Sequence, residues 1–242
     1  MHIIIVGASS GLGYETARQY IAQGHHVGVA ARRIDRLESL VALAPDRVVA
    51  AQIDVTTPEA PEALLSLIDR LGGMDLYLHS SGVGSHNRTL ELQPELDTVR
   101  TNALGFTALV VTAYRYFAQR GRGHIAVISS VAGTKGIGLA PAYSATKRMN
   151  SVYLEALEQL ARLQGYDICF TNIQPGFVST PLIEGRRYPI QMEVDEGARH
   201  IISAIARRKR VAIFDWRFRI LVAIWRLIPQ WLWVRLPIND KP

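Results

Sequence analysis

Cysteine is nearly absent: Cys169 is the single one in 242 residues, so no internal disulfide can brace the chain. One thiol fits a reducing cytosol, and a cytoplasmic protein is the expectation. Long apolar runs are also missing. No stretch reaches the ~18 uninterrupted apolar residues that a bilayer span needs. The opening Met1-His2-Ile3-Ile4-Ile5-Val6-Gly7 is too short for a signal segment and lacks a basic flank, so no targeting peptide is expected. The seven histidines (2, 25, 26, 79, 86, 124 and 200) are scattered, with no pair at helical spacing beside a third ligand, and no metal site is expected. There is no GxSxG, which leaves a nucleophile-elbow hydrolase unsupported. Hydrophobic residues at 48% and charged residues at 20% exclude low-complexity disorder and leave ample material for a core.

The net charge of +6 is unevenly placed. Residues 207–242 carry nine Lys/Arg against two Asp/Glu, whereas residues 1–206 carry 18 against 19. A near-neutral body argues against nucleic acid as a partner. An anionic partner or a membrane surface is open to the tail alone.

Short apolar runs alternate with helix-length segments. Strands are predicted at Ile3–Val6, His26–Ala31, Val48–Ile53, Asp75–His79, His124–Ser129, Asp167–Ile173 and Val211–Phe214, with helices near 11–23, 33–43, 59–71, 94–118, 142–164 and 195–207. Strand, helix, strand with apolar strands is the pattern of a parallel sheet covered on both faces. Right-handed crossovers then give an α/β, Rossmann-type doubly wound fold. Residues 1–214 read as one domain and 215–242 as a C-terminal apolar, basic helical tail. Gly72-Gly73 and Gly121-Arg122-Gly123 read as turns before strands.

The loop Gly7-Ala8-Ser9-Ser10-Gly11-Leu12-Gly13 lies directly between the first strand and the first helix. Glycines let a pyrophosphate approach the backbone, and the helix start presents free N–H groups and partial positive charge. Gly7, Ser9, Ser10, Gly11, Leu12 and Gly13 are therefore candidate phosphate-binding residues. With GxxxGxG spacing and the motifs below, the chain resembles the short-chain dehydrogenase/reductase family. At the end of the second strand, an acid would hold a ribose 2′-hydroxyl, whereas Arg would accept a 2′-phosphate. Ala31 precedes Arg32 and Arg33 here, which favours NADP(H) over NAD(H). A solvated basic turn is the plain structural reading of the same residues. The resemblance implies that Asp54 and Val55 meet the adenine. His79-Ser80-Ser81-Gly82 stands where relatives usually show Asn-Asn-Ala-Gly, which puts Ser81 and Gly82 beside the cofactor. His79 itself reads as a packed strand-end residue.

Tyr143-Ser144-Ala145-Thr146-Lys147 falls early in a predicted helix, and a spacing of four puts phenol and amine on one face. A neighbouring ammonium would lower the phenol pKa from about 10 and let Tyr143 exchange a proton with a carbonyl oxygen. Elsewhere YxxxK is commonly an amphipathic surface pair. The resemblance adds Ser130 as the catalytic hydroxyl, with Ser129 a bystander, and Asn102 as the residue holding a water that links Lys147 to solvent. It also implies that Pro175, Gly176, Val178 and Thr180 face the nicotinamide, as a PGxxxT segment does, and that Tyr143 and Lys147 touch the cofactor as well.

The resemblance implies that residues 181–196 cover the substrate. They mix Leu182, Ile183, Tyr188, Ile190 and Met192 with Arg186 and Arg187, pointing to an apolar or mixed small molecule. All four tryptophans lie between Trp216 and Arg235, interleaved with Arg and broken by Pro229. That composition suits an interfacial helix, and equally a helix packed on the body, on another subunit or along the substrate cavity. The reading is an NADP(H)-dependent oxidoreductase acting on a carbonyl or alcohol. A homo-oligomer is expected, with peripheral membrane contact through 216–235 left open. The alternative is a dinucleotide-binding sensor or scaffold that docks through its tail.

Overall fold

The structure, a computed structural model, describes residues 1–181, 188 and 190–237. The apolar runs become β1 (His2–Val6), β2 (His26–Ala31), β3 (Val48–Gln52), β4 (Leu76–His79), β5 (Arg122–Ile128), β6 (Asp167–Gln174) and β7 (Val211–Ile213). They form one seven-stranded sheet in the order β3-β2-β1-β4-β5-β6-β7, and every pairing is parallel.

Helices cover both faces: α1 (Gly11–Ala22), α2 (Glu38–Val41), α3 (Ala60–Leu71), α4 (Leu92–Val99), α5 (Phe106–Arg120), α6 (Pro141–Leu163) and α7 (Val194–Ala206). Successive strand residues point to opposite faces. Ile4 and Val6 accordingly join a core with Leu64, Leu109 and Leu154, while Ile3 and Ile5 join a second core with Ala17, Leu40 and Ile201. Burial on both sides is why the β1 sequence is continuously apolar instead of alternating. Strand order reverses between β1 and β4, and in such sheets the crevice outside the carboxyl ends at that point is the ligand site.

Three local expectations are corrected. The helix predicted over 94–118 is interrupted: α4 and α5 are joined by a wide π-helical turn, Arg100–Gly105. A Cβ on Gly105 would strike the Val55 carbonyl, so the turn passes close against the loop that follows β3. The 33–43 segment is a 3₁₀ turn at Ile34–Leu37 followed by the single turn of α2. Gly121 is a left-handed helix cap at φ +70°, but β5 already starts at Arg122. Gly123 lies inside that strand because the Phe117 ring occupies the space a side chain would need.

The tail forms α8 (Trp216–Leu227) and α9 (Gln230–Trp233). Phe218 and Val222 of α8 are buried with Val131, just beyond β5. The Trp233 indole donates to the Gly136 carbonyl at 2.7 Å, and Lys135 Nζ donates to the Ile228 carbonyl at 2.8 Å. The described part of the tail is thus fastened to the segment between β5 and α6.

Candidate active site

The carboxyl ends of the strands open onto a cleft of about 550 Å³. Its floor at one end is the loop between β1 and α1. Gly7 has φ +91°, a conformation that favours glycine, and a Cβ there would collide with the Ser81 backbone. A Cβ on Gly13 would fall on the Gly7 carbonyl. These two glycines let the chain double back tightly enough for α1 to begin at the cleft. Ser10, the N-cap of α1, makes no side-chain capping bond, so the first-turn donors are not consumed by it. A pyrophosphate fits such a cradle.

Gly7, Ser9, Ser10, Gly11 and Leu12 all line the cleft. Gly13 does not; it is set behind the loop and acts through packing. Arg32 and Arg33, at the end of β2, are exposed and line the same end of the cleft. Asp54 and Val55 line it beyond β3. The Asp54 carboxylate accepts from the Thr56 N–H at 3.0 Å and its hydroxyl at 2.7 Å. Burial works against the charge, but these bonds and nearby Arg32 overcome it and hold the carboxyl below its ordinary pKa.

Beyond β4, Ser81 and Gly82 line the cleft. A Cβ on Gly82 would come 3.1 Å from Lys147 Nζ and 3.4 Å from Asn102 Oδ1, so glycine lets this segment pass directly over both. His79 is buried, as its place in a strand end suggests, with Nδ1 hydrogen-bonded to the Tyr77 hydroxyl at 2.8 Å. Burial, together with the charge of Lys147, pushes its pKa down to about 3.

Two serines follow β5, and the structure separates them. The Ser129 hydroxyl is buried and bonded to the Asn172 side chain and the Ile173 carbonyl of β6. Ser130 lines the cleft, accepts from the Ala132 N–H at 3.1 Å, and is near enough to the Tyr143 phenol to lower its pKa. Tyr143 and Lys147 lie one turn apart on α6 and both line the cleft. Lys147 Nζ is 5.7 Å from the Tyr143 ring centroid and donates to the Ile128 carbonyl at 3.0 Å.

The phenol pKa departs from the sequence expectation. Burial raises it, the Ser130 bond opposes this, and the balance lies above the ordinary value. Helical spacing reports who is adjacent but not how much water is excluded. Burial also pushes Lys147 down to about 8.

Asn102 is buried in the π-helical turn and does not reach the cleft wall. Its side chain clasps Val83, donating to the carbonyl at 2.7 Å and accepting from the N–H at 2.8 Å. Its own carbonyl accepts from Asn150 Nδ2 at 2.9 Å.

Pro175, Gly176, Val178 and Thr180 close the opposite wall. A Cβ on Gly11 would come 3.2 Å from the Thr180 methyl, so this segment lies against the glycine loop. The substrate end holds aromatic residues that motif reasoning did not assign: Phe177, stacked on Tyr188 at 4.0 Å between ring centroids, and Trp225. The spacing of Phe218, Val222 and Trp225 on α8 is the one signal that could have turned Trp225 inward. Met192 and Ile190 pack beneath the cleft wall. Leu182, Ile183, Arg186 and Arg187 lie outside the described residues.

A doubly wound sheet whose switch-point cleft joins a glycine loop to a Ser, Tyr and Lys cluster defines a nucleotide-binding oxidoreductase. The family model for short chain dehydrogenase matches residues 1–189, and the chain belongs to that family. An uncharacterized oxidoreductase of Mycobacterium tuberculosis is 33% identical over 239 residues, covering 94% of this chain and 93% of that protein. One from Myxococcus xanthus is 30% identical over 235 residues, covering 94% and 92%. Among solved structures, a short-chain dehydrogenase from Sphingobium yanoikuyae in complex with NADPH shares the fold. It has a TM-score of 0.80 at 24% identity, over 100% of this chain and 98% of that one. An actinorhodin polyketide ketoreductase with NADPH has a TM-score of 0.77 at 24% identity, covering 88% and 95%.

Proposed function

We propose that the protein is an NADP(H)-dependent oxidoreductase that interconverts a carbonyl and an alcohol on an apolar or mixed small molecule. The observation that carries this reading is the meeting of Ser130, Tyr143 and Lys147 in one cleft with the open start of α1. The cofactor, when bound, supplies or accepts the hydride at the carbonyl carbon.

The protein's own groups handle the oxygen. Ser130 uses its acceptor for the Ala132 N–H, so its proton is available to the substrate oxygen as negative charge develops there. Tyr143 delivers the proton. A phenol pKa raised by burial keeps it protonated across neutral pH, which suits the reductive direction. Lys147, which lies beneath Gly82, would hold the ribose side of the cofactor. Asn102 fixes the Gly82–Val83 segment above Lys147. Its carbonyl, which accepts from Asn150, is the group at which the relay water of the family would be held.

Preference for NADP(H) is supported by Arg32 and Arg33 on the cleft and by Ala31 in place of an acid. The related folds in complex with NADPH agree with it. Exposed Leu92, Leu96, Val99 and Leu104 beside the π-helical turn support a homo-oligomer.

The test is dinucleotide binding together with NADPH oxidation against a panel of ketones. Replacing both arginines with alanine should weaken NADPH about tenfold, the loss of a charge-assisted phosphate contact, and leave NADH unchanged. Equal NADPH and NADH affinity in the wild type would remove the NADP assignment. NADPH binding with no turnover on any carbonyl would favour a sensor.

A further inference from the structure

The two sides of α8 have different surroundings, and the outer one has no use in the site. At about 100° per residue, Phe218, Val222 and Trp225 share the side that faces the protein. The opposite side carries Trp216, Ile220, Ala223, Ile224 and Leu227. Trp216 is 66% exposed, Ile220 and Ile224 are 51% exposed, and Leu227 is 83% exposed. They form one stripe, and exposed Trp231 and Val234 lie just past Pro229. An apolar stripe of this size rarely faces water without a use.

Charge identifies the occupant. Arg217 flanks the stripe on one side and Arg219 and Arg226 on the other, with Arg235 beyond α9. No acid occurs from Trp216 to Arg235. Arg217 pairs with Asp215 and Arg219 Nε donates to the Ile213 carbonyl, whereas Arg226 makes no ion pair among the described residues. A second copy of this face would set arginine against arginine. Long Arg side chains beside Trp, Ile and Leu instead suit the headgroup boundary, where the stem lies in apolar surroundings and the head meets phosphate.

The inner side makes the helix a rigid mount. Phe218 packs over Gly176, and Trp233 and Lys135 pin the following turn. No helix among the described residues is long and apolar enough to cross a membrane. The basic run Arg207-Arg208-Lys209-Arg210 lies at the other end of β7 and is not part of this surface.

We propose that the outer faces of α8 and α9 dock the protein on an anionic lipid bilayer surface, apolar residues in the interface and arginines against the headgroups. The proposal does not depend on the assigned chemistry, because its readout is lipid partitioning.

The experiment is flotation of the full chain with phosphatidylcholine vesicles, with and without phosphatidylglycerol. It is repeated for the double variant Ile220→Asp, Leu227→Asp and for Arg226→Gln. The wild type should float with the anionic vesicles and not with phosphatidylcholine alone. The double variant should lose at least tenfold in partitioning, and Arg226→Gln about fivefold, the scale of one cation near an anionic surface. All three positions are exposed, so thermal unfolding and dinucleotide binding should be unchanged. A wild type that stays unbound, or variants that float equally well, would overturn the proposal. So would a lipid-free oligomer that the double variant dissociates, which would assign the stripe to a second copy.

Discussion

Tyr143→Phe should lower kcat for carbonyl reduction by about 10³-fold, within the range for loss of a positioned general acid. The change removes one oxygen and leaves the ring. That ring fills the space beside Gly84, where a Cβ would overlap it, and lies near the Lys147 ammonium. Dinucleotide affinity and thermal stability should therefore stay close to wild type, while the chemical step fails. Single-turnover rates with saturating NADPH separate the step from binding. A variant keeping more than a tenth of the wild-type rate would show that another group delivers the proton. Because burial raises the phenol, the reductive rate should stay level from mildly acidic to neutral pH, with no limb from Tyr143 ionisation.

Acid should destabilise the protein in a window set by His79. Its pKa is pushed down to about 3 in the folded chain, against about 6.5 when unfolded. A group depressed in this way contributes stability that is fully present above 6.5 and lost as pH falls toward the folded value. Between those values the unfolded chain binds the extra proton, so stability rises with pH. The loss is about 2 kcal/mol on going from pH 7 to pH 5, and about 3 kcal/mol by pH 4. His124, pushed down to about 4, acts in the same direction. Lys147, at about 8, is charged in both states over this window and adds nothing to the slope. The lowered carboxyls of Glu15, Asp54 and Asp215 take effect only below about pH 5.

His79→Asn keeps a polar side chain at the end of β4 and removes the titration. Urea unfolding at pH 7 and pH 5 should then show the wild-type difference reduced by about 2 kcal/mol. The variant should also be less stable at pH 7, since the Tyr77 bond and the edge-to-face packing on Phe106 are lost. An unchanged pH difference would mean that His79 is protonated in the folded protein.

Much of the site was legible because its signals are local. The glycine loop is seven residues long, the Tyr143 and Lys147 pair spans one helical turn, and both sit at strand ends that apolar runs mark. Choosing Ser130 over Ser129 needed the family pattern, and β6 supplies the physical reason: Asn172 and Ile173 occupy the Ser129 hydroxyl. Asn102 too came from the family pattern, but the π-helical turn that carries it could not be read, because its contacts are to Val83 and Asn150, distant in the chain. The phenol pKa was misjudged for a related reason. Adjacency follows from helical periodicity, whereas desolvation is a sum over every element that closes the cleft.

Local chemistry, then, was enough to predict the order of strands and helices, the glycine loop at the start of α1 and the Tyr143–Lys147 pair, since backbone preference and side-chain period act over a few residues. Folding alone settled which side of each helix meets the cleft and how dry the reactive groups become. It also decided that α8 presents Trp225 to the site and Trp216 to solvent. Those outcomes depend on burial, and burial is a property of the assembled layers, not of any one segment.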